Sequence, residues 1–201
     1  MGINFLSYIN GWIYKRIYLC INKFINNKKQ NIMATKWNLD PTHSEITFKV
    51  RHMMISNVKG SFTNFSAELE AEDDTFKNVN VKTTIQTDSV STHNADRDNH
   101  LKSEDFFNVA ANPEITFESS ALNNEITGNL TLNGVTKPIE LDVDFGGINV
   151  DPWGNTKAGF SFEGKISRKD FGLNWNAALE TGGVMVSDEV KIAGELQFVK
   201  A

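Results

Sequence analysis

Cysteine is nearly absent from this chain of 201 residues. Cys20 is its single thiol, so nothing after it can form a disulfide, a thiolate metal cluster or a cysteine nucleophile. No stretch of about 18 apolar residues occurs, which excludes a conventional membrane-spanning helix. The chain also lacks a Gly-x-Ser-x-Gly elbow, a phosphate-binding loop and the glycine fingerprint of a dinucleotide fold. Its four histidines, His43, His52, His93 and His100, form no i, i+4 pair of the kind a helical zinc site requires. Neither a metal nor a cofactor is expected.

Acid is missing from residues 1–32, which carry Lys15, Arg16, Lys23, Lys28 and Lys29. All 25 acids therefore face 15 of the 20 bases in the remainder, a body near −10. Such a surface repels phosphate backbones and argues against nucleic acid as a partner.

Tyrosine is confined to residues 1–32. There Phe5, Ile9, Ile13, Ile17, Ile21 and Ile25 recur every fourth residue, one stripe of a helix. Residues 1–32 read as an N-terminal extension outside the domain that begins at Met33. Three readings compete: a start-site artefact upstream of Met33, a basic amphipathic helix on a membrane surface, and an unusual signal sequence. No small-x-small cleavage site precedes Met33, so a cytoplasmic location is expected, with a periplasmic or membrane-associated one as the alternative. Any membrane contact would run through residues 1–32.

Alternation dominates the rest. Eight segments between Ser44 and Lys200 place apolar residues on every second position, the period of a strand with one wet face. In Lys137–Gly147, Ile139, Leu141, Val143 and Phe145 alternate with Glu140, Asp142 and Asp144. In Val58–Ala71 the phase slips by one residue after Phe62, as a β-bulge would produce. Asn133-Gly134 marks a tight hairpin, and Asn123-Asn124 can make another. Gly146-Gly147 and Asp151–Asn155 bracket a longer loop. Ser89–Pro113 breaks the ladder with a short helix near Asn94–Leu101. The expected fold is all-β: an eight-stranded antiparallel barrel with a helical excursion near residues 93–107, an open sandwich being the alternative.

The inward phase makes a candidate ligand-binding wall of Phe48, Val50, Phe62, Leu69, Ile85, Phe117, Leu130, Leu141, Val143, Phe160, Phe162, Ile192, Leu196 and Phe198. Gly60, Gly128, Gly164 and Gly194 share that phase, and an inward glycine either bends its strand or leaves room. Asn94-x-Asp96-x-Asp98 resembles the start of a calcium loop. Asn99 and Asp105 stand where that loop needs Gly and Glu, so a polar helix start fits better. Arg97, Asp98 and His100 could be drawn as acid–base machinery, but no nucleophile accompanies them.

Several motifs resemble the YceI-like family. They include Trp37-x-x-Asp40-x-x-His43-Ser44, Val58-x-Gly60-x-Phe62-x-x-Phe65, Arg97-Asp98-x-His100-Leu101-x-Ser103-x-Asp105-Phe106-Phe107, Gly134-Val135-Thr136-Lys137-Pro138 and Arg168-x-Asp170-Phe171-Gly172-Leu173-x-Trp175. The resemblance covers about Met33–Ala201. It implies an extended lipocalin-like barrel whose pore holds a polyisoprenoid or similar long lipid, a bacterial origin, and homodimers in some members. Arg97, His100, Phe171 and Trp175 then become candidates for the pore mouth, while Arg97, Asp98, His100 and Asp105 are expected to knit the excursion to the barrel. The expected function is binding and carriage or sequestration of a long apolar lipid (polyisoprenoid, isoprenoid quinone or fatty-acid-like) rather than catalysis. A filled barrel acting as an interaction module, and an enzyme acting on a lipid-like substrate, are the alternatives.

Overall fold

The computed structural model describes residues 34–119, 125–180 and 182–201. The N-terminal stripe and the Asn123-Asn124 turn lie outside the described residues. Eleven strands follow in order: β1 Thr35–Leu39, β2 Glu45–His52, β3 Ser56–Phe62, β4 Phe65–Ala71, β5 Val79–Gln86, β6 Val90–Ser91, β7 Glu114–Ser119, β8 Glu125–Leu132, β9 Val135–Val150, β10 Thr156–Ser167 and β11 Val186–Lys200. One helix, α1 (Ala95–Lys102), stands between β6 and β7. Every pairing is antiparallel.

The eleven strands make eight paths. β1 continues into β2 across a 3-10 turn at Pro41–His43, β3 into β4 across Thr63–Asn64, and β5 into β6 across a 3-10 turn at Thr87–Ser89. The ring β1-β4-β5-β7-β8-β9-β10-β11 closes because β1 also pairs with β11, and β2, β3 and β6 extend the wall beyond it. The result is a closed antiparallel barrel, as the alternation requires once each strand must bury one face only. β11 is shared: Phe198–Lys200 pair with β1, while Val186–Glu195 pair with β2.

Two local expectations need correcting. The slip after Phe62 is a two-residue bend rather than a one-residue bulge. There Thr63 N donates to Ser89 O (3.2 Å) and Gln86 N to Asn64 O (2.9 Å). Gly146-Gly147 does not open a loop. β9 runs on to Val150, and the pairing with β10 skips one residue there, a β-bulge that uses the positive φ (103°) of Gly147. The hairpin at Asn133-Gly134 does form, with φ of 51° and 73°.

Asp40 fixes the first kink. Its carboxylate accepts from Thr42 N (3.1 Å), Thr42 Oγ1 (2.6 Å) and Lys157 Nζ (2.9 Å), with His43 Nδ1 at 3.0 Å. The Thr42 hydroxyl first, and then Lys157, hold this carboxyl far below the usual carboxylate range against the opposing effect of burial. Below the kink the ring is plugged. Phe76, folded in from the β4–β5 loop, packs on Trp37 (5.2 Å between ring centres), Phe145 (5.1 Å) and Phe160 (5.1 Å). The Trp37 indole N–H has no acceptor among the described residues, so the ring is held by packing and by Lys200 Nζ, 5.3 Å from its centre.

Candidate functional site: an apolar cavity inside the barrel

Above that floor lies a cavity of about 360 Å³. All fourteen wall residues expected from the inward phase line it, from Phe198, Phe160 and Leu69 near the floor to Val50 and Ile192 higher up. Further wall residues outside the expected fourteen obey the same alternation, among them Ile46, Val81, Ile115, Ile126, Ile139 and Ile166. Six wall residues are polar: Thr47, His52, Thr83, Arg97, His100 and Arg168. Its volume falls in the range of sites that hold a small ligand, and a filled barrel would have no such space.

The inward glycines explain how large rings and open space coexist. A Cβ on Gly60 would meet the Phe48 ring, one on Gly128 the Phe117 ring, one on Gly194 the Phe162 ring, and one on Gly164 the Leu141 side chain. Gly60 pairs directly with Phe48, Gly194 with Phe162 and Gly164 with Leu141. Each bulky group therefore lies flat over a glycine on the next strand. The glycines leave no void of their own; they let the rings hug the wall instead of crossing the lumen.

The mouth is built by the Ser89–Pro113 excursion and the β10–β11 connection. α1 starts at Asn94, whose Oδ1 accepts from Arg97 N (2.9 Å). Asp98 Oδ1 accepts from Thr92 N (2.8 Å) and Thr92 Oγ1 (2.5 Å), and Arg97 Nε donates to Thr92 Oγ1 (2.7 Å). His100 Nε2 pairs with Asp105 Oδ2 at 2.9 Å. Arg97 and Asp98 thus tie α1 to Thr92, the residue that follows wall strand β6, whereas His100 and Asp105, expected to knit the excursion to the barrel, pair with each other inside it. Further attachment comes from Thr87 N to Pro113 O (2.8 Å) and from Asn112 Nδ2 to Asn133 Oδ1 (2.9 Å). Arg97 and Asp98 meet at the Thr92 hydroxyl, but the three do not form one group facing the cavity: Arg97 and His100 line it, and Asp98 is not part of the wall.

Trp175 stands at the mouth, edge-on to His100 (4.9 Å) and beside Phe106 (5.2 Å). Phe171 does not. It is 2% exposed, packs in a cluster with Ile46, Phe62, Val90 and Leu132, and is absent from the cavity wall. The reason is the 3-10 turn Arg168–Phe171, closed by Gly172 at φ 75°, which rotates the ring under the wall. The same turn sends Arg168 inward. Its Nη1 donates to Leu173 O (2.6 Å) and Trp175 O (2.7 Å), its Nε to Ser187 O (2.9 Å) and its Nη2 to Val186 O (3.3 Å). Burial draws this guanidinium below its ordinary value, and Asp188 at 3.5 Å opposes that. In the sequence, only the motif that carries the resemblance marks Arg168.

Among the described residues no group of three or more His, Cys, Asp or Glu side chains gathers to hold a metal ion, and no helix is long and apolar enough to cross a membrane.

An up-and-down barrel, plugged at one end around an apolar interior, is a lipocalin-like architecture. The chain belongs to the YceI-like family, whose domain model matches residues 37–198. A UPF0312 protein of Staphylococcus epidermidis is 41% identical over 166 residues, covering 82% of this chain and 97% of its own. A UPF0312 protein of Staphylococcus aureus is 40% identical over the same span and shares. Among solved structures, the YceI protein of Campylobacter jejuni aligns with a TM-score of 0.64 at 35% identity, over 75% of this chain and 89% of that one. A polyisoprenoid binding domain from Saccharophagus degradans shares the fold, with a TM-score of 0.64 at 17% identity, over 82% and 98% of the two chains.

Proposed function

We propose that this protein binds a long apolar lipid by enclosing it in the barrel, and carries or sequesters it rather than transforming it. The observation that carries this reading is the cavity wall, where the six polar residues are outnumbered by aliphatic and aromatic ones from floor to mouth. A chain lying along β11 would follow the wall from Val186 to Phe198, roughly 30 Å of axis at about 3.3 Å per residue and a tilt near 40°. Burial there is worth about 0.8 kcal/mol per methylene, so length and width select the guest. Polyisoprenoids, isoprenoid quinones and fatty-acid-like chains all satisfy that requirement, and the fold shared with a polyisoprenoid binding domain supports the first.

The test is solvent extraction of the purified protein followed by mass spectrometry, with native mass spectrometry of the intact complex. A co-purifying long-chain lipid at near one per chain is expected. Repeated preparations without any such chain, together with failure to take up a fluorescent long-chain probe, overturn the proposal.

A further inference from the structure

The mouth end carries an exposed apolar tip. The β2–β3 hairpin turns through Met53, Met54 and Ile55, which are 39, 54 and 77% exposed. Both methionines have positive φ (50° and 61°), the region in which Asn and Gly sit with least strain. The turn thus holds two unsuited residues out in solvent where Asn-Gly would fold more easily. Val184, 41% exposed, extends the patch, since Met53 N donates to the carbonyl of neighbouring Met185 (2.7 Å). Met185 and His52 line the cavity, so the tip stands beside its opening.

Behind the tip the outer face is basic. Lys59 pairs with Lys49, Lys49 with Lys191, and Lys191 with Lys165, four lysines directly opposite one another across β3, β2, β11 and β10. Directly opposed like charges repel and weaken a sheet. Among the described residues only Lys165 of the four has an acidic partner, Glu189 at 3.8 Å. Further toward the floor the sign reverses at Glu45, Glu163, Glu195, Asp142 and Asp144. A body near −10 therefore presents one basic row, and that row sits behind an apolar point.

We propose that the mouth end, and not only residues 1–32 as expected from the sequence, docks on a bilayer surface bearing anionic headgroups, with Met53–Ile55 in the interfacial layer and the lysine row against the headgroups. The spacing fits. Lys49 lies four residues from Met53, about 10 Å along the axis at ~3.3 Å per residue and ~40° tilt, while interfacial segments sink about 5–10 Å. The acidic belt keeps the barrel from lying flat and stands the mouth on the lipid. A second exposed apolar patch, Phe145, Ile148, Val150 and Trp153, projects past the plugged end and is flanked by Asp144 and Asp151, the wrong sign for this surface. The proposal extends the lipid-binding reading by naming where the guest is exchanged.

Flotation of the full chain with phosphatidylcholine vesicles, with and without phosphatidylglycerol, tests it. Wild type is expected to float with the anionic vesicles and to be released by salt. A Met53→Asn/Met54→Gly/Ile55→Ser variant should lose at least tenfold in binding while melting no lower than wild type, because its turn is relaxed. Lys49→Glu/Lys59→Glu should lose as much, and Trp153→Asp nothing. Absence of wild-type flotation, undiminished flotation of the tip and lysine variants, or an equal loss in Trp153→Asp each overturns the proposal. Uptake of a fluorescent long-chain probe from detergent, with no vesicle present, reads the lipid-binding proposal separately. The variants should keep it whatever flotation shows.

Discussion

Four glycines decide how much of the barrel is open. At Gly194 an added methyl group would strike the Phe162 ring and come within 2.7 Å of the Glu45 carbonyl oxygen, and backbone cannot swing aside. Gly194→Ala should therefore lower stability by about 1–3 kcal/mol and tip Phe162 into the lumen. Gly159→Ala is its control, because nothing lies within 4 Å of the added atom and φ there suits any residue. It should stay within about 0.5 kcal/mol of wild type. Urea unfolding gives the stabilities, and probe uptake reports the lumen. Equal losses in the two variants would mean that the ring-over-glycine seats do not matter. The inward phase of these glycines was visible in the sequence. What they face was not, because cross-strand partners depend on register, and register is set by turns that composition only hints at.

At the scale of elements, the β10–β11 connection is held by two side chains, Asn176, which bonds Met185 and Val186, and Arg168. Arg168 gathers four carbonyls from Leu173, Trp175, Val186 and Ser187 and so fixes Trp175 over the mouth. Arg168→Ala should cost about 3 kcal/mol, since partly buried carbonyls lose a charged partner, and should speed release of bound probe. Arg168→Lys should recover less than half, because an ammonium lacks the planar fork. Melting curves and stopped-flow release check both, and an alanine variant with unchanged release would separate Arg168 from the mouth. The strands themselves were legible because each wets one face, and alternation survives every kink. The breaks were read less well. Gly146-Gly147 looks like a loop in sequence but is a bulge within β9, and the slip after Phe62 is a two-residue bend. The resemblance made Phe171 a candidate for the pore mouth, yet the 3-10 turn buries it away from the cavity. Short 3-10 turns carry almost no periodic signal, so a side chain's direction after one cannot be counted from the strand before it.

For the whole molecule, closure rests on a narrow seam. β1 meets β11 at three residue pairs, Trp37 with Lys200, Asn38 with Val199 and Leu39 with Phe198, whereas β10 follows β11 for eleven. Asp40 reinforces the seam, because its backbone N donates to Gln197 O (2.7 Å) and its carboxylate binds Lys157 on β10. That carboxyl is held below its unfolded value of about 3.9, so its stabilisation is complete above that pH and lost as pH falls through the acid range beneath it. Hydrogen-exchange protection factors at pH 7 and pH 3 should therefore diverge most in β1, while β9 and β10 change least. Asp40→Asn should abolish the difference. Uniform loss of protection across the sheet at pH 3 would show that the seam has no separate weakness.

The same seam orders events during synthesis. Trp37 and Lys200 are neighbours in space but lie at opposite ends of the domain sequence. No enclosure exists on the ribosome until β11 has been made, and contacts so distant in sequence form slowly. Until then the greasy inner faces of seven strand paths stand uncovered, so the nascent chain needs shelter over the surfaces that later cradle its guest, and loading must follow translation.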